Sequence, residues 1–277
     1  ITLGAVVLLL DPISSGVGAS IEQYATERGV AVIDYDRLTL GGARSHYVSF
    51  DNVQVGRLIG QGMVDCIAAW GVESPQILVM SGAPTDNNAT LFAQGYMEVL
   101  QPHFDNGRFV NAGEPAGTWD PAQARTTFEG QYAANEAINA VVTPNDDNAN
   151  AVISYLRTLN VPPQTFPTTG QDATLQGLQN VLAGYQCGTV YKSIKQEAQA
   201  AAALAIFLRA GVEPPAALVN GVTPDPEGGM DVPSVLLTPI WVTPENMAAT
   251  VVADGFVSAS DLCAGFEAEC TAAGIGE

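Results

Sequence analysis

The chain has 277 residues, with 10 Lys and Arg against 29 Asp and Glu, and a net charge of −19. This charge disfavours nucleic acid and anionic membranes as partners, because phosphate contacts need clustered Lys and Arg. Hydrophobic residues make up 47% of the chain and charged residues 14%, which is typical of a folded globular protein. The length suits two lobes, and no apolar run is long enough to span a bilayer.

Short apolar runs alternate with amphipathic stretches of helical period, which predicts a parallel sheet with crossover helices. The predicted strands span residues 5–10, 30–35, 76–80, 140–143, 165–169 and 188–191. The predicted helices span residues 53–70, with Asn52 as N-cap, 88–100, 121–134, 148–159 and 193–210, with Ser193 as cap. Residues 46–50 are β-like, and residues 220–232 have little helix or strand character.

Polar side chains follow almost every predicted strand, and open α/β sheets bind ligands at the carboxyl ends of their strands. Carboxylates, amides and two cations can donate to and accept from the hydroxyls of a sugar-like ring. Any one of them is more simply a turn former or a helix cap, but the whole series favours a ligand site. The series is Asp11, Asp36, Arg37, Asp86, Asn87, Asn88, Asn145, Asp146, Gln171, Asp172 and Lys192.

Motifs for other chemistries are missing from the sequence. There is no G-x-G-x-x-G after a strand, no phosphate-binding P-loop and no G-x-S-x-G, so we expect no cofactor and no catalytic residue. Of the two histidines, His103 is expected at the surface and His46 in a structural role. Asp225, Glu227 and Asp231 lack the spacing of a calcium loop and predict a solvated loop, so no metal is expected. The many carboxylates leave a glycoside-hydrolase pair open.

The four cysteines include no C-x-x-C, which disfavours zinc, and their even number fits two disulfides in an oxidising compartment. Cys263 and Cys270 are close enough in sequence to staple one turn, which would leave Cys66 and Cys187 as a long-range pair. The alternative is four reduced, buried cysteines.

Six segments together resemble the xylose-type periplasmic binding proteins, which belong to the ribose/xylose/galactose class of ABC-transporter receptors. The resemblance runs from about residue 5 to residue 257. The segments are VIDYDRL at 32–38, YVSFDN at 47–52, SGAPTDNNATLFAQG at 81–95, GQDATLQG at 170–177, TVYK at 189–192 and VPSVLLTPIWV at 232–242.

The resemblance implies an α/β fold of two Rossmann-like lobes, the type I periplasmic binding protein fold, joined by three hinge strands with a sugar between the lobes. Lobe one would hold residues 1–50 and 193–237, and lobe two residues 51–192 and 238–277. Cys66 and Cys187 would then share lobe two, which favours their pairing. In the family a β-α-β-α portion of lobe one precedes the segment at Ile1, and we expect that this sequence lacks it.

The resemblance also implies the sugar ligands. Asp36 and Arg37 would come from lobe one, and Arg37 could donate bidentate hydrogen bonds to adjacent hydroxyls. Trp119 would stack on the sugar ring, and Lys192 would sense lobe closure. The lobe-two ligands would be Asp86, Asn87, Asn88, Trp119, Asn145, Asp172 and Lys192, with Gln171 and Asp146 as second choices.

The expected function is that of a monomeric receptor that binds D-xylose or a close pentose or hexose and delivers it to an ABC permease, without catalysis. The implied location is periplasmic or extracellular, either free or lipid-anchored through an N-terminal part outside this sequence. The alternatives are the core of a sugar-responsive transcription regulator and a sugar-acting enzyme. The absence of a basic face and of catalytic motifs disfavours both.

Overall fold

The computed structural model describes residues 1–276. Strands and helices alternate along most of the chain, as the apolar runs predict. In chain order the elements are β1 (Val7–Leu10), α1 (Ala19–Thr26), β2 (Ala31–Tyr35), β3 (His46–Phe50), α2 (Asn52–Ala69), β4 (Gln76–Val79), α3 (Asn87–Asp105), β5 (Val110–Gly113), α4 (Pro121–Ala134), β6 (Ala140–Val142), α5 (Asp146–Thr158), α6 (Leu175–Leu182), β7 (Thr189–Tyr191), α7 (Ile194–Ala210), β8 (Gly221–Asp225), β9 (Met230–Leu237), β10 (Ile240–Val242), a π-helical turn (Ala248–Val252), α8 (Ala259–Leu262) and α9 (Glu267–Ala272).

The chain divides into two compact units. Unit one comprises Ile1–Asn52, Thr85–Asn88 and Ser193–Thr238. Unit two comprises Val53–Pro84, Ala89–Lys192 and Pro239–Glu277, of which the structure describes the part up to residue 276. Chain segments therefore alternate between the units.

Unit one is built on a five-stranded sheet of order β1-β2-β3-β9-β8. The first four of these strands are parallel, and β8 pairs antiparallel with β9 at one edge. The helix α7 packs on this sheet, where Ala201 and Leu204 contact Ile33, Val48 and Val235 in one buried cluster. The small side chains of the Ala-rich helix let it lie close to the sheet.

Unit two contains a parallel sheet of order β5-β4-β6 and an antiparallel pair, β10-β7. Its first core cluster places Phe128 of α4 against Leu78, Val141 and Val152. A second cluster joins α6 and β10 to the C-terminal helices. Burying a side chain such as Phe128 stabilises the fold by about 1.5–3 kcal/mol.

Five of the six predicted strands and all five predicted helices are confirmed, whereas the strand predicted at 165–169 and the irregular stretch predicted at 220–232 are wrong. Residues 165–169 form no strand; Thr168 makes a single parallel bridge to Val141, and Pro167 can donate nothing to a ladder. Residues 220–232, expected to be irregular, form the hairpin of β8 and β9. Pro224 is tolerated because β8 is an edge strand, where a missing N–H faces no partner strand.

Neither expected side-chain cap makes a capping bond in the structure. The helix α2 begins at Asn52, whose amide nitrogen donates 2.9 Å to Asn88 Oδ1, while its own Oδ1 has no hydrogen-bond partner among the described residues. Ser193 occupies the N-cap position of α7 without a side-chain capping bond. His103 lies in the last turn of α3, half-buried against Phe109, and not in a surface connection.

The four cysteines form the disulfides Cys66–Cys187 and Cys263–Cys270, which is the pairing that their spacing suggests. The long-range disulfide joins α2 to the segment before β7, and the short one joins the residue after α8 to α9. Over residues 1–276, no helix is both long and apolar enough to cross a membrane.

Candidate functional site

The backbone of Asp36 lies directly after β2 in the left-handed region, with φ of 60°. Its carbonyl oxygen accepts three hydrogen bonds, from the Tyr47 hydroxyl at 2.8 Å, the Ser49 hydroxyl at 2.9 Å and the Asn88 amide at 3.0 Å. A non-glycine residue in a strained region costs about 1–3 kcal/mol and persists only where its surroundings hold it. The three donors therefore fix the turn that presents Asp36 and its neighbour.

Arg37 links carboxylates from three segments of unit one. Its Nε lies 2.9 Å from Asp86 Oδ2, and its Nη1 lies 2.9 Å from Asp11 Oδ1 and 3.6 Å from Asp36 Oδ2. Burial alone would lower the pKa of Arg37, but hydrogen bonds to Asp86 and Asp11 raise it. Two of the five guanidinium N–H groups thus donate to protein carboxylates, and Nη2 makes no hydrogen bond among the described residues.

The segment Thr85–Asn88 groups with unit one, although the expected layout placed it in lobe two. The reason is its hydrogen bonding. The Asp86 carboxylate binds Arg37, Asn87 N donates 3.0 Å to Ser15 Oγ, and Asn88 Oδ1 accepts from Asn52 at 2.9 Å. Asp86 and Asn88 are buried, whereas Asn87 is half-buried.

In unit two, Asn145 caps α5, because its Oδ1 accepts from Asn148 N at 3.1 Å. The Asn148 amide in turn donates 2.9 Å to Thr118 O, which ties the start of α5 to the segment that carries Trp119. Asn145 therefore uses its Oδ1 as a helix cap, which is the alternative to a ligand contact that the sequence left open.

Trp119 is half-buried and meets Phe92 edge-on, with ring centroids 6.5 Å apart and planes at 73°. The Lys192 ammonium lies 6.0 Å from the centre of the same Phe92 ring. A Cβ at Gly82 would approach the Trp119 ring to 2.2 Å, so only glycine at that position leaves room for the indole. The Phe92 ring thus lies near two predicted sugar ligands.

Phe92 was missed at the sequence level because its place on the buried face of α3 looks like that of any core aromatic residue. Its side chain is in fact buried, at 2% exposure. Its role toward Trp119 and Lys192 depends on tertiary contacts that helical spacing does not reveal.

Asp172 and Ala173 are both left-handed, with φ of 101° and 51°. Asp172 N donates 2.9 Å to Val190 O, and Ala173 N donates 3.1 Å to Thr189 Oγ1, so β7 supports this turn. Gln171 is buried; its amide nitrogen lies 3.4 Å from Pro144 O and its Oε1 has no hydrogen-bond partner among the described residues.

Asp146 is fully buried, and both of its carboxylate oxygens have protein partners. Thr174 N donates to Oδ2 at 2.7 Å and Gln186 Nε2 donates to Oδ1 at 2.8 Å. Burial, and then the charge of Asp172, raise the pKa of Asp146 to about 7, although these hydrogen bonds oppose the shift. Asp146, a second choice among the expected sugar ligands, therefore has both carboxylate oxygens hydrogen-bonded within unit two.

The other side chains considered for catalysis or metal binding lie in surroundings that suit a structural role. Within the described part of the chain, no group of three or more His, Cys, Asp and Glu side chains is placed to hold a metal ion. Asp225, expected in a solvated loop, is buried, accepts from Gly41 N and Gly228 N and pairs with buried Arg44. Burial lowers the pKa of His46, which lies in β3.

Residues 1–211 match the family model described as a periplasmic binding protein domain. The chain belongs to the periplasmic binding protein family. It is 37% identical to the D-xylose-binding periplasmic protein of Escherichia coli K12, over 95% of this chain and 77% of that protein. It is 33% identical to the multiple sugar-binding periplasmic protein SbpA of Azospirillum brasilense, over 90% of this chain and 73% of that protein.

Among solved structures, a carbohydrate transporter solute-binding protein of Chloroflexus aurantiacus in complex with D-glucose superposes with a TM-score of 0.85 at 28% identity. The match covers 94% of this chain and 82% of that one. These comparisons confirm the family and the type I periplasmic binding protein fold that the sequence motifs suggest.

Proposed function

We propose that this protein binds a monosaccharide, D-xylose or a close pentose or hexose, and delivers it to the permease of an ABC importer. The observation that carries the proposal is the pair of left-handed turns at Asp36, directly after β2, and at Asp172, which is bonded to β7; hydrogen bonds hold each of them. Such strained, over-determined turns cluster at ligand sites. The similarity to D-xylose-binding and multiple sugar-binding proteins supports a sugar as the ligand.

The proposed ligands include acceptors, donors and one aromatic face, which is what a pyranose requires. Trp119 offers its ring to the C–H face of the sugar, and Arg37 offers Nη2 to a hydroxyl oxygen. The proposed sugar-contacting residues are Asp36, Arg37, Asp86, Asn87, Asn88, Trp119, Asn145, Gln171, Asp172 and Lys192.

The proposed mechanism is binding without chemistry. In this proposal the lobes are residues 1–50 with 193–237 and residues 51–192 with 238–277, apart from the segment Thr85–Asn88, which groups with unit one. Both lobes contribute ligands. Sugar binding then shifts the population toward a closed form, because only that form makes both sets of contacts. The permease would recognise the closed form.

The proposal also includes a monomeric protein in a periplasmic or extracellular location. The two disulfides support an oxidising compartment. The relatives named above are sugar-binding proteins, and the Chloroflexus aurantiacus structure is that of a carbohydrate transporter solute-binding protein, which supports a receptor rather than an enzyme.

Equilibrium dialysis against isotopically labelled D-xylose, followed by NMR analysis of the recovered sugar, tests binding and the absence of chemistry together. We expect saturable retention of one sugar per chain and recovery of unaltered D-xylose. Labelled sugar that returns as a different compound would establish an enzyme. A lack of retention across a panel of pentoses and hexoses would refute the receptor proposal.

A further inference from the structure

The segment from Gly170 to Gly177 carries two proposed sugar ligands on a strained backbone. Gln171 and Asp172 lie on it, and two successive non-glycine residues, Asp172 and Ala173, are left-handed. Each such residue costs about 1–3 kcal/mol, so the conformation needs strong support. The bonds from Asp172 and Ala173 to β7 support one side of this turn.

Asp146 supports the other side of the turn. Its Oδ2 accepts from Thr174 N at 2.7 Å and from Thr174 Oγ1 at 3.2 Å. Its Oδ1 accepts from Gln186 Nε2 at 2.8 Å, and its own backbone N donates 2.9 Å to Gln171 O. One fully buried residue at the start of α5 therefore binds the chain on both sides of Asp172.

The two glycines that bound the segment show how closely it packs on this carboxylate. A Cβ at Gly170 would lie 2.1 Å from Asp146 Oδ1, and a Cβ at Gly177 would lie 2.2 Å from Asp146 Oδ2. No side chain fits at either position while Asp146 keeps its place.

We propose that Asp146 is a positioning residue: it holds the left-handed turn from which Asp172 and Gln171 reach the sugar, and it contacts no sugar itself. This inference rests on the proposed function and deepens it, because it separates a ligand from its support within one polar cluster. It predicts that the loss of Asp146 weakens sugar binding in a protein that is still folded.

The carboxylate is suited to this position because it accepts hydrogen bonds and donates none. An asparagine would direct an NH₂ group at either Thr174 N or Gln186 Nε2, which are both donors. The charged group that acts on Asp146 is Asp172, while Thr174, Thr189 and Gln186 face it as neutral hydrogen-bonding partners. Protonation of Asp146 would replace a strong acceptor by a weaker one and loosen the turn.

The test is a calorimetric titration of D-xylose into the wild type, Asp146→Asn and Asp147→Asn at about pH 6 and about pH 8, one unit either side of the pKa of Asp146. Asp147 is the matched control because it is the next residue on the same helix and is exposed. We expect wild-type affinity to rise with pH. We expect Asp146→Asn to bind about tenfold more weakly (~1.4 kcal/mol) with a flat pH profile, and Asp147→Asn to match the wild type.

A purely structural role would lower the melting temperature of Asp146→Asn but leave its affinity and pH profile unchanged at a temperature where it is folded; that result would overturn the inference. If Asp146→Asn does not fold, Gln186→Met provides the second test, because it keeps the size of the side chain but removes the donor to Oδ1. Gln186→Met with wild-type affinity would likewise overturn the inference. If the wild type binds no sugar, the proposed function itself is refuted. The wild-type titration shows this before any variant is compared.

Discussion

Arg37 Nε lies 2.9 Å from Asp86 Oδ2, and this ion pair joins the turn after β2 to the segment that opens α3. The Asp86 carboxyl is nearly inaccessible to solvent, at 2% side-chain exposure, whereas the Arg37 side chain is 29% exposed. A partly buried, charge-assisted bond of this kind contributes more than a surface ion pair. It therefore holds together the part of unit one that carries the proposed sugar ligands Arg37 and Asp86.

Asp86→Asn tests the contribution of this ion pair. The variant leaves the Arg37 charge without one of its two partners at 2.9 Å, and we expect the unfolding free energy to fall by about 1–3 kcal/mol in urea titrations. Glu98→Gln is the matched control, because it breaks the exposed Arg57–Glu98 pair of 2.7 Å and should leave the transition midpoint unchanged. Equal midpoints for all three proteins would show that the Arg37–Asp86 bond adds nothing to stability.

Trp119→Phe tests stacking on the sugar. The chain has three tryptophans, so a ring that contacts ligand should report binding through intrinsic fluorescence. We expect D-xylose to change wild-type fluorescence, and we expect Trp119→Phe to lose most of this change and to bind about tenfold more weakly. Trp70→Phe serves as the control and should retain both signals. A full fluorescence response in Trp119→Phe would exclude Trp119 from the site.

The raised pKa of Asp34 leads us to predict that the stability of the protein depends on pH. Burial, and then the charge of Glu22, raise its pKa to about 8, while hydrogen bonds from Thr39 oppose the shift. The folded state thus holds a proton that the unfolded state releases near pH 3.8, the ordinary pKa of an aspartate. The resulting stability is fully present below that value and is lost progressively as pH rises toward about 8.

Asp34→Asn mimics the protonated side chain and cannot titrate. We expect the wild-type melting temperature to fall between about pH 5 and about pH 8, and the slope to be shallower in Asp34→Asn. Differential scanning calorimetry across this range measures both. Parallel curves for the two proteins would show that Asp34 is not the group responsible.

The two disulfides should differ in their contribution to stability. Cys66–Cys187 closes a loop with a sequence separation of 121, and Cys263–Cys270 one of 7. Loop-closure entropy gives about 5 kcal/mol for the longer loop and about 2 kcal/mol for the shorter one. Removal of Cys66 and Cys187 together by serine should therefore lower the melting temperature more than removal of Cys263 and Cys270. The reverse order would mean that strain in the folded state outweighs chain entropy.

The sequence was informative where periodicity and burial decide structure. Apolar runs such as residues 76–80 became strands, and α4 begins and ends at the predicted residues because Asp120 caps it and Pro121 suits its first position. The family motifs pointed to the type I fold, which the comparisons confirm.

Features that depend on tertiary partners could not be predicted from the sequence. Asn52 has the chemistry of a cap, but the nearby Asn88 and Tyr47 bind its amide. The hairpin of β8 and β9 depends on Arg44 and Gly41, which bind Asp225 from far away in sequence. Asp146 follows a strand like the proposed sugar ligands, and only the positions of Thr174 and Gln186 show that its oxygens are already bonded.

A thermal-shift titration with D-xylose tests the central claim most directly, with other pentoses and hexoses for comparison and nucleotides and amino acids as controls. A ligand that binds only the folded state stabilises it by mass action, by about 2.7 kcal/mol at a hundred times its Kd. The account predicts a concentration-dependent rise in melting temperature with D-xylose or a close monosaccharide and none with the controls. An unchanged melting temperature with every sugar, or a rise with a nucleotide or an amino acid alone, would contradict it.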